Sequence, residues 1–183
     1  MSANAPQATT TTWNIDPAHT TAEFKVRHMM ITNVRGHFSG ITGVLTSHED
    51  VTKSQVEASI PAASINTREP DRDTHLKSAD FLDVEKFPTL TFASTNITRT
   101  GEGELEVEGD LTIHGVTRRV VFAVEGPTPP GKDPWGNTRI GWTATTKINR
   151  KDFGLNWNAA LETGGILVGD EVTLTMDVEA VKA

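Results

Sequence analysis

An aspartate and a histidine lie three positions apart near the start of this sequence, as Asp16 and His19. A carboxylate beside an imidazole can orient the ring and bias its tautomer, which is what general acid–base catalysis uses. The same spacing, with Pro17 directly after the aspartate, is also typical of a turn. Because catalysis would demand a nucleophile and an oxyanion site as well, we interpret the pair as a turn and keep His19 as a candidate for a polar head group.

The densest group of polar side chains consists of Arg68, Asp71, Arg72, Asp73 and His75. A positioned arginine beside an acid and a histidine could bind an anionic head group or move protons. Charges of this kind are also expected around the start of a helix, where acidic side chains face the positive end of the helix dipole. We favour the helix interpretation. Arg72 and His75 stay candidates for head-group contacts, and Asp73 with His75 is the alternative catalytic pair.

The histidines and the lack of cysteine bear on metal binding. None of the histidines has the His-x-x-x-His spacing of a helical zinc site, and no thiolate is available. The sequence therefore predicts no metal site. His28 and His37 are candidates for polar groups lining a pocket, although a lone imidazole on an apolar face is more often hydrogen-bonded within a core. The six histidines are His19, His28, His37, His48, His75 and His114.

Residues 149–154 (NRKDFG) follow a predicted strand directly and precede Trp157. In that position they could form a rim that closes one end of a cavity, with Arg150 as a polar group at its edge. They could equally form a turn held by the Asn and Asp side chains. The residues alone leave both interpretations open.

The segments that must position these side chains alternate apolar and polar residues with a period of two. This pattern indicates strands with one buried and one wet face. In residues 20–30, for example, Phe24 and Val26 face one way while Lys25 and Arg27 face the other. The clear runs are residues 20–30, 56–62, 105–113, 120–124, 140–148 and 172–178.

Two further runs, residues 36–46 and 89–98, are β-branched and aromatic but alternate less clearly, so we predict a strand in each. That makes about eight strands. Residues 100–103 (TGEG) and His114-Gly115 are short enough for hairpin turns, which require antiparallel neighbours. We therefore predict an all-β fold, an eight-stranded antiparallel barrel of largely up-and-down topology.

Three segments break the strand pattern. Residues 70–83 (PDRDTHLKSADFLD) have acids in the first turn and bases later, which predicts a short helical insertion. Residues 126–137 (GPTPPGKDPWGN) are rich in Pro and Gly and predict an exposed loop. Residues 1–12 contain Ala, Thr, Pro and Gln without a basic or apolar region, so we expect a disordered N-terminal tail before a single domain over residues 13–183.

Composition and charge exclude several classes of function. The 183 residues are 36% hydrophobic and 22% charged, which is the balance of a globular domain. The net charge of −7 repels nucleic acid. No stretch approaches the ~20 apolar residues of a membrane-spanning helix. Since no signal peptide is visible, we expect a cytoplasmic protein.

Several segments, taken together and in order, resemble the YceI-like family of polyisoprenoid-binding, lipocalin-like barrel proteins. The likeness runs from about residue 13 to residue 180. Any one motif would be weak, but the ordered set is specific. The matching segments are WNIDPAHT (13–20), FKVRHMM (24–30), VRGHF (34–38), RDTHL (72–76), DFLD (80–83), FPTLTFAST (87–95), GDLTIHGVT (109–117), INRKDFG (148–154) and VGDEV (168–172).

The resemblance implies a barrel whose interior holds a long isoprenoid lipid, such as a quinone or a polyprenyl phosphate, and a homodimer. We expect no cofactor apart from this lipid and no enzymatic activity. Many relatives resemble secreted periplasmic proteins with signal peptides, and this chain departs from them by showing none.

If the barrel is hollow, its inward side chains should line the cavity or close its ends, with His19, Arg72, His75 and Arg150 near a head group. Two alternatives stay open: a hydrolase or isomerase that uses Asp73 and His75, and a filled barrel that serves as a dimeric interaction module without a ligand. The predicted ligand-contacting residues are Phe24, Val26, His28, Phe38, Phe92, Ile113, Phe122, Trp142, Ile148, Phe153 and Trp157.

Overall fold

The computed structural model describes residues 9–183, which form an antiparallel sheet of eleven strands with one α-helix and three short 3-10 turns. The helix, α1, is Pro70–Lys77. The strands are β1 Thr10–Ile15, β2 Thr21–His28, β3 Thr32–Phe38, β4 Thr42–His48, β5 Gln55–Pro61, β6 Thr89–Gly101, β7 Glu104–Ile113, β8 Val116–Glu125, β9 Gly131–Lys132, β10 Thr138–Asn149 and β11 Val168–Lys182.

The sheet closes on itself because β11 pairs with β10 on one side and with β1 and β2 on the other. Eight strands complete the ring, in the order β11-β1-β4-β5-β6-β7-β8-β10. All of these pairings are antiparallel, so the predicted eight-stranded antiparallel barrel is confirmed. Closure leaves no unpaired edge where β1, β4 and β5 run side by side, whereas β3 pairs with β2 alone.

Two positions in the barrel wall are each occupied by two strands, one after the other along the barrel. β1 and β2 follow one another along β11, with Ile15 opposite Ala180 and His28 opposite Val168. β3 and β4 return beside them, β3 against β2 and β4 against β1. We call the end of the barrel at β1 and β4 the upper end, and the end at β2 and β3 the lower end.

The interruption between β3 and β4 corrects one prediction. Residues 36–46, predicted as one strand, contain the end of β3, a turn over residues 39–41 and the start of β4. Gly40 has a φ of 70°, a backbone conformation that glycine adopts without steric cost. Both pieces still follow the same path up the barrel wall, which is why the strand count was right.

The N-terminal boundary is also corrected. Residues 1–8 of the expected tail lie outside the described residues, but β1 begins at Thr10, opposite His48 of β4. Thr10, Thr11 and Thr12 show no apolar alternation, so they resemble a tail in the sequence. Their pairing with a strand more than thirty residues away, rather than their own pattern, makes them a strand.

Helix α1 is shorter than the predicted insertion. The Glu69 carboxylate accepts a hydrogen bond from the Asp71 amide, Pro70 occupies the first turn, and the helix ends where the Ser78 amide bonds the His75 carbonyl. Residues 78–87 continue as turns. At the lower end β5 is absent, so α1 and these turns close the wall between β3 and β6, where His37 and Asn66 form an isolated bridge.

Within residues 9–183, no helix has both the length and the apolar character needed to cross a bilayer.

Candidate functional site

A cavity within the barrel, which we call the upper cavity, has a volume of about 570 Å³. Its walls come from successive barrel strands, which direct every second side chain inward. Phe92 of β6, Phe122 of β8 and Trp142 of β10 lie on one side, and the Phe92 and Phe122 rings meet edge to face at 5.2 Å. Leu105 and Ile140 extend the apolar wall. This space suits a hydrocarbon chain.

The lower cavity has a volume of about 240 Å³ and lies inside the β2–β3 half of the barrel. Phe24 and Val26 of β2 face Ile148 of β10, and Trp157 covers the space from the loop after β10. The two cavities adjoin, because four apolar side chains line both of them. These are Phe38, Leu90, Ile113 and Leu174.

Some polar groups that line the upper cavity lie near the upper end of the barrel, which we call the mouth. Trp13 donates its indole N–H to the Ser47 hydroxyl at 3.0 Å, so both groups are already bonded to each other. Arg99, an exposed residue of β6, also lines this mouth and forms no ion pair within residues 9–183. Sequence analysis missed Arg99, because a charged residue near the end of a strand looks like an ordinary solvent-facing position.

The segment after β8 also lines the upper cavity, through Pro127, Thr128 and Pro130. It is fixed in place by the Gly126 amide, which donates to the Gly103 carbonyl at 2.8 Å, and by the Thr128 amide, which donates to Gly141 at 2.9 Å. The sequence predicted an exposed loop here, and that prediction is incomplete. Its Pro and Gly content shows that it is not a regular element, but not which way it folds.

Arg72 and His75 of α1 both line the lower cavity. Arg72 donates from Nε to the Thr67 hydroxyl at 2.8 Å and from Nη2 to the Thr67 carbonyl at 3.0 Å. The His75 ring packs edge-on against Phe81 and Trp157, at centroid distances of 5.1 and 4.7 Å. These two side chains are therefore held in position at the wall.

Asp73 and His75 do not form the catalytic pair that the sequence left open. The Asp73 carboxylate accepts hydrogen bonds from the Thr67 amide at 2.8 Å and the Thr67 hydroxyl at 2.6 Å. His75 instead lies 2.8 Å from a carboxylate oxygen of Asp80, with 38% of its side chain exposed. The carboxylate of Asp73 caps a turn, as the helix interpretation expects.

Arg150 is 3% exposed, although it is a charged residue, and it lines the lower cavity. Its guanidinium donates to the carbonyls of Leu155, Trp157, Val168 and Gly169, at distances between 2.6 and 3.3 Å. Burial lowers the pKa of Arg150 from its ordinary value. Since most of its donors are engaged by backbone, this side chain holds the loop more than it offers a free contact.

The Asn149–Gly154 segment proves to be both a turn and part of the lower end. The Asn149 side chain accepts a hydrogen bond from the Lys151 amide, which starts a 3-10 turn over Arg150–Phe153. Phe153 is 1% exposed and belongs to the packed core; it lines neither cavity, so its prediction as a ligand contact is corrected. The sequence around Phe153 would be the same whether its side chain faced a cavity or a packed core.

His19 is also corrected as a head-group candidate. Its side chain is 57% exposed and lies 2.8 Å from the Asp16 carboxylate, away from both cavities. Arg139 bonds the same Asp16 at 2.7 Å and Glu179 at 2.6 Å. The hydrogen bond from Arg139, and then that from His19, lowers the pKa of Asp16 to about 2.

Arg139 determines whether Asp16, His19 and Glu179, which we call the upper acidic cluster, are available to a metal cation. Asp16, His19 and Glu179 stand close enough to share a cation. Arg139 already supplies the positive charge to both carboxylates and also bonds Asp133 at 2.7 Å. The cluster therefore ties the β1–β2 turn to β10, β11 and the loop after β8, as the turn interpretation expects.

His37, the other histidine proposed to line a pocket, is exposed and lines neither cavity. The remaining predicted contacts lie on one cavity or both. The upper cavity is lined by Phe92, Phe122 and Trp142, the lower by Phe24, Val26, His28, Ile148, Trp157, Arg72, His75 and Arg150, and both by Phe38 and Ile113.

Residues 13–180 match the family described as the YceI-like domain. The chain is 36% identical over 171 residues to a UPF0312 protein of Staphylococcus aureus (strain N315), covering 92% of this chain and 96% of the relative. A crystal structure of a Campylobacter jejuni YCEI protein superposes with a TM-score of 0.71 at 28% identity, over 86% of this chain and 90% of that one. A polyisoprenoid binding domain from Saccharophagus degradans superposes with a TM-score of 0.68 at 13% identity, over 93% and 98% of the two chains, and so shares the fold.

Proposed function

We propose, on the premise that this chain belongs to the YceI-like domain family, that its barrel binds one long isoprenoid lipid of the polyprenyl or quinone type. The bound lipid would be cargo, and the protein would act on it by enclosing it. The observation that carries the proposal is the pair of adjoining apolar cavities inside the closed barrel.

The apolar lining favours a hydrocarbon over a polar ligand. Each CH₂ group transferred from water contributes about 0.8 kcal/mol, so one five-carbon isoprene unit contributes roughly 4 kcal/mol before costs. Ordering a flexible chain opposes part of this gain. Affinity should therefore come from the tail and increase with the length of chain that the cavities can enclose.

Polar side chains at the two ends would orient the lipid. A hydrogen bond to a neutral head group contributes about 1 kcal/mol net, which is enough to favour one direction of entry but too little to set affinity. Arg99 stands at the upper mouth, while His28, Arg72 and His75 line the lower cavity. Quinone oxygens or a phosphate are both acceptors that these donors would match.

The relatives support the class of ligand without identifying it. The Saccharophagus degradans domain is described as polyisoprenoid binding, and it has the same fold at low sequence identity. The cavities of this chain carry the argument that a similar ligand fits here. A catalytic role for Asp73 and His75 gains no support, because each bonds a different partner.

Extraction of the purified protein with organic solvent, followed by mass spectrometry, tests the proposal. We expect a lipid with a prenyl chain, in an amount close to that of the protein. A protein that yields no lipid and also fails to bind an added polyprenol or long-chain quinone would contradict the proposal.

We also propose that two copies of the chain associate as a homodimer, as membership of the family supports. Sedimentation velocity should then give twice the mass of one chain. The mass of a single chain across the accessible concentration range would contradict this.

A further inference from the structure

The β2–β3 hairpin ends in an exposed apolar turn at the lower end of the barrel. Met29, Met30 and Ile31 are 40%, 59% and 73% exposed, and we call these three residues the tip. Ile166 of the neighbouring loop adds a further exposed apolar side chain. A side chain at Gly165 would overlap the Met30 sulfur, so the tip and this loop are packed against each other. Exposed apolar groups that adjoin one another indicate a surface that contacts something else.

The backbone of the tip does not favour the residues it carries. The Ile31 amide bonds the His28 carbonyl at 3.1 Å across a tight turn, in which Met29 and Met30 have φ values of 52° and 60°. Turns of this geometry favour Asn and Gly, because a side chain with Cβ is disfavoured at positive φ. Two methionines here serve neither the turn nor the core, and such local conflicts concentrate at functional surfaces.

The hairpin behind the tip is positively charged, in a chain whose net charge is −7. Lys25 and Arg35 lie directly opposite one another, an arrangement of like charges that destabilises a strand pair. Arg27 lies between them and the tip. Among the ion pairs of residues 9–183, none involves these three cations. They would match an anionic surface.

From these observations we infer that the tip inserts into the surface of a bilayer that contains anionic phospholipid. An apolar segment buries about 5–10 Å into the boundary between head groups and acyl chains. With a rise of about 3.3 Å per residue, Arg27 then falls at the head groups and Lys25 and Arg35 just outside them. The basic residues therefore lie at or near the charged head groups, and the apolar tip lies at the boundary with the acyl chains.

The position of the tip indicates a purpose for docking, which is the exchange of lipid cargo with the membrane. Arg27, His28 and Leu167 adjoin the tip and line the lower cavity, so a docked barrel would present that cavity to the membrane. This purpose, though not the docking itself, depends on the proposed lipid binding. A hydrophobic cargo could then move between bilayer and barrel with little exposure to water.

Flotation of the full chain with vesicles tests the inference. We expect binding to vesicles of phosphatidylcholine mixed with phosphatidylglycerol, weaker binding at high salt because ions screen the basic hairpin, and little binding to phosphatidylcholine alone. The double variant Met30→Ser, Ile31→Ser should reduce binding by about tenfold, since it removes the inserted apolar groups. The pair Lys25→Gln, Arg35→Gln should abolish the preference for phosphatidylglycerol.

Trp135→Ser is the matched control, because Trp135 is 82% exposed on the loop at the opposite end of the barrel and lines neither cavity. It should bind vesicles as the unchanged protein does. The inference is overturned if the unchanged protein does not float, if Trp135→Ser loses binding, or if the tip variant binds equally well. It is also overturned if the tip variant alters the sedimentation mass, since the tip would then be a contact between copies.

The vesicles contain no isoprenoid, so the outcome is independent of the cargo. A protein that releases a prenyl lipid on extraction but does not float loses the docking surface and keeps the proposed function. A protein that floats but yields and binds no prenyl lipid keeps the docking surface and loses the proposed function.

Discussion

Trp142 is positioned to report whether the upper cavity holds a hydrocarbon. Its side chain lines that cavity from β10, next to Gly126 just after the end of the neighbouring β8. It is partly exposed within the barrel, so a polar replacement can still be hydrated in the cavity. The same side chain is available to a ligand and also packs against the buried clusters of the barrel, so folding of a variant must be checked separately.

We expect Trp142→Asp to abolish retention of lipid, because a carboxylate next to a hydrocarbon tail loses its hydration. Val121→Asp is the matched control, since Val121 precedes Phe122 and is 43% exposed on the outer face. Extraction and mass spectrometry measure the lipid, and circular dichroism checks that both variants fold. Equal lipid in the two variants would place the ligand elsewhere.

His28→Ala should weaken the retention of lipid modestly, as expected for the loss of one contact with a head group.

Asp16 predicts how stability depends on acidity. Its pKa is lowered from 3.8 to about 2 in the folded chain, so its carboxylate stabilises the fold above the higher value. That contribution is lost as the pH falls from about 3.8 to about 2, because the proton then binds more tightly to the unfolded chain than to the folded one.

Thermal unfolding from pH 5 to pH 2 measures this, with Asp16→Asn as the comparison. The variant has no carboxylate at this position, so its melting temperature should fall less over the acidic range and should be lower than that of the unchanged protein at pH 5. Parallel curves for the two proteins would show that the contact with Arg139 contributes nothing.

At the scale of elements, Arg150 connects the end of β10 to the loop that precedes β11. Two of its four carbonyl partners, Leu155 and Trp157, lie in that loop, and the other two, Val168 and Gly169, begin β11. All of them except Gly169 line the lower cavity. Asp170, at 3.9 Å, is the nearest acid, and one of its carboxylate oxygens is buried without a hydrogen bond. Removing the guanidinium would leave several buried acceptors unpaired.

Arg150→Ala should lower the free energy of unfolding by about 3 kcal/mol, as expected when one partner of a buried ionic network is removed. Arg119→Ala is the control, since Arg119 also pairs with acids but is 52% exposed, and it should have little effect. Urea unfolding measures both. A similar small loss in each variant would mean that Arg150 is a replaceable contact.

For the molecule as a whole, the upper and lower cavities adjoin, and we propose that a long lipid occupies both of them. Leu174 of β11 lines both cavities, so its side chain stands where they adjoin. A chain long enough to occupy both spaces must pass this point, whereas a short chain fits the upper cavity alone.

Leu174→Trp should therefore fill the passage and discriminate by length. We expect the binding of farnesol to be nearly unchanged and the binding of a long polyprenol to weaken strongly. Quenching of tryptophan fluorescence measures both, and Leu174→Met is the control of similar volume. If both ligands weaken equally, the path through Leu174 is not used by the longer chain.

Apolar–polar alternation was enough to predict the long strands and their buried faces, because successive side chains in a strand face opposite sides. It did not predict β1, β9 or the break between β3 and β4. Phe92, Phe122 and Trp142 point inward for that reason, and short turns such as His114-Gly115 establish antiparallel neighbours. Ordered motifs from residue 13 to residue 180 identified the family. These signals are local or simply sequential, so they can be found without coordinates.

Whether an inward residue borders a cavity or a packed core depends on how distant segments pack around it. Phe153 and Phe122 have the same character in the sequence, yet one is packed and the other lines a cavity. Arg150 and His19 were equal candidates for polar contacts in the sequence. In the structure, contacts with distant backbone bury Arg150, whereas His19 bonds Asp16 outside both cavities. Closure of the barrel depends on β1 and β2 pairing with β11 from the far end of the chain, and no local pattern records that pairing.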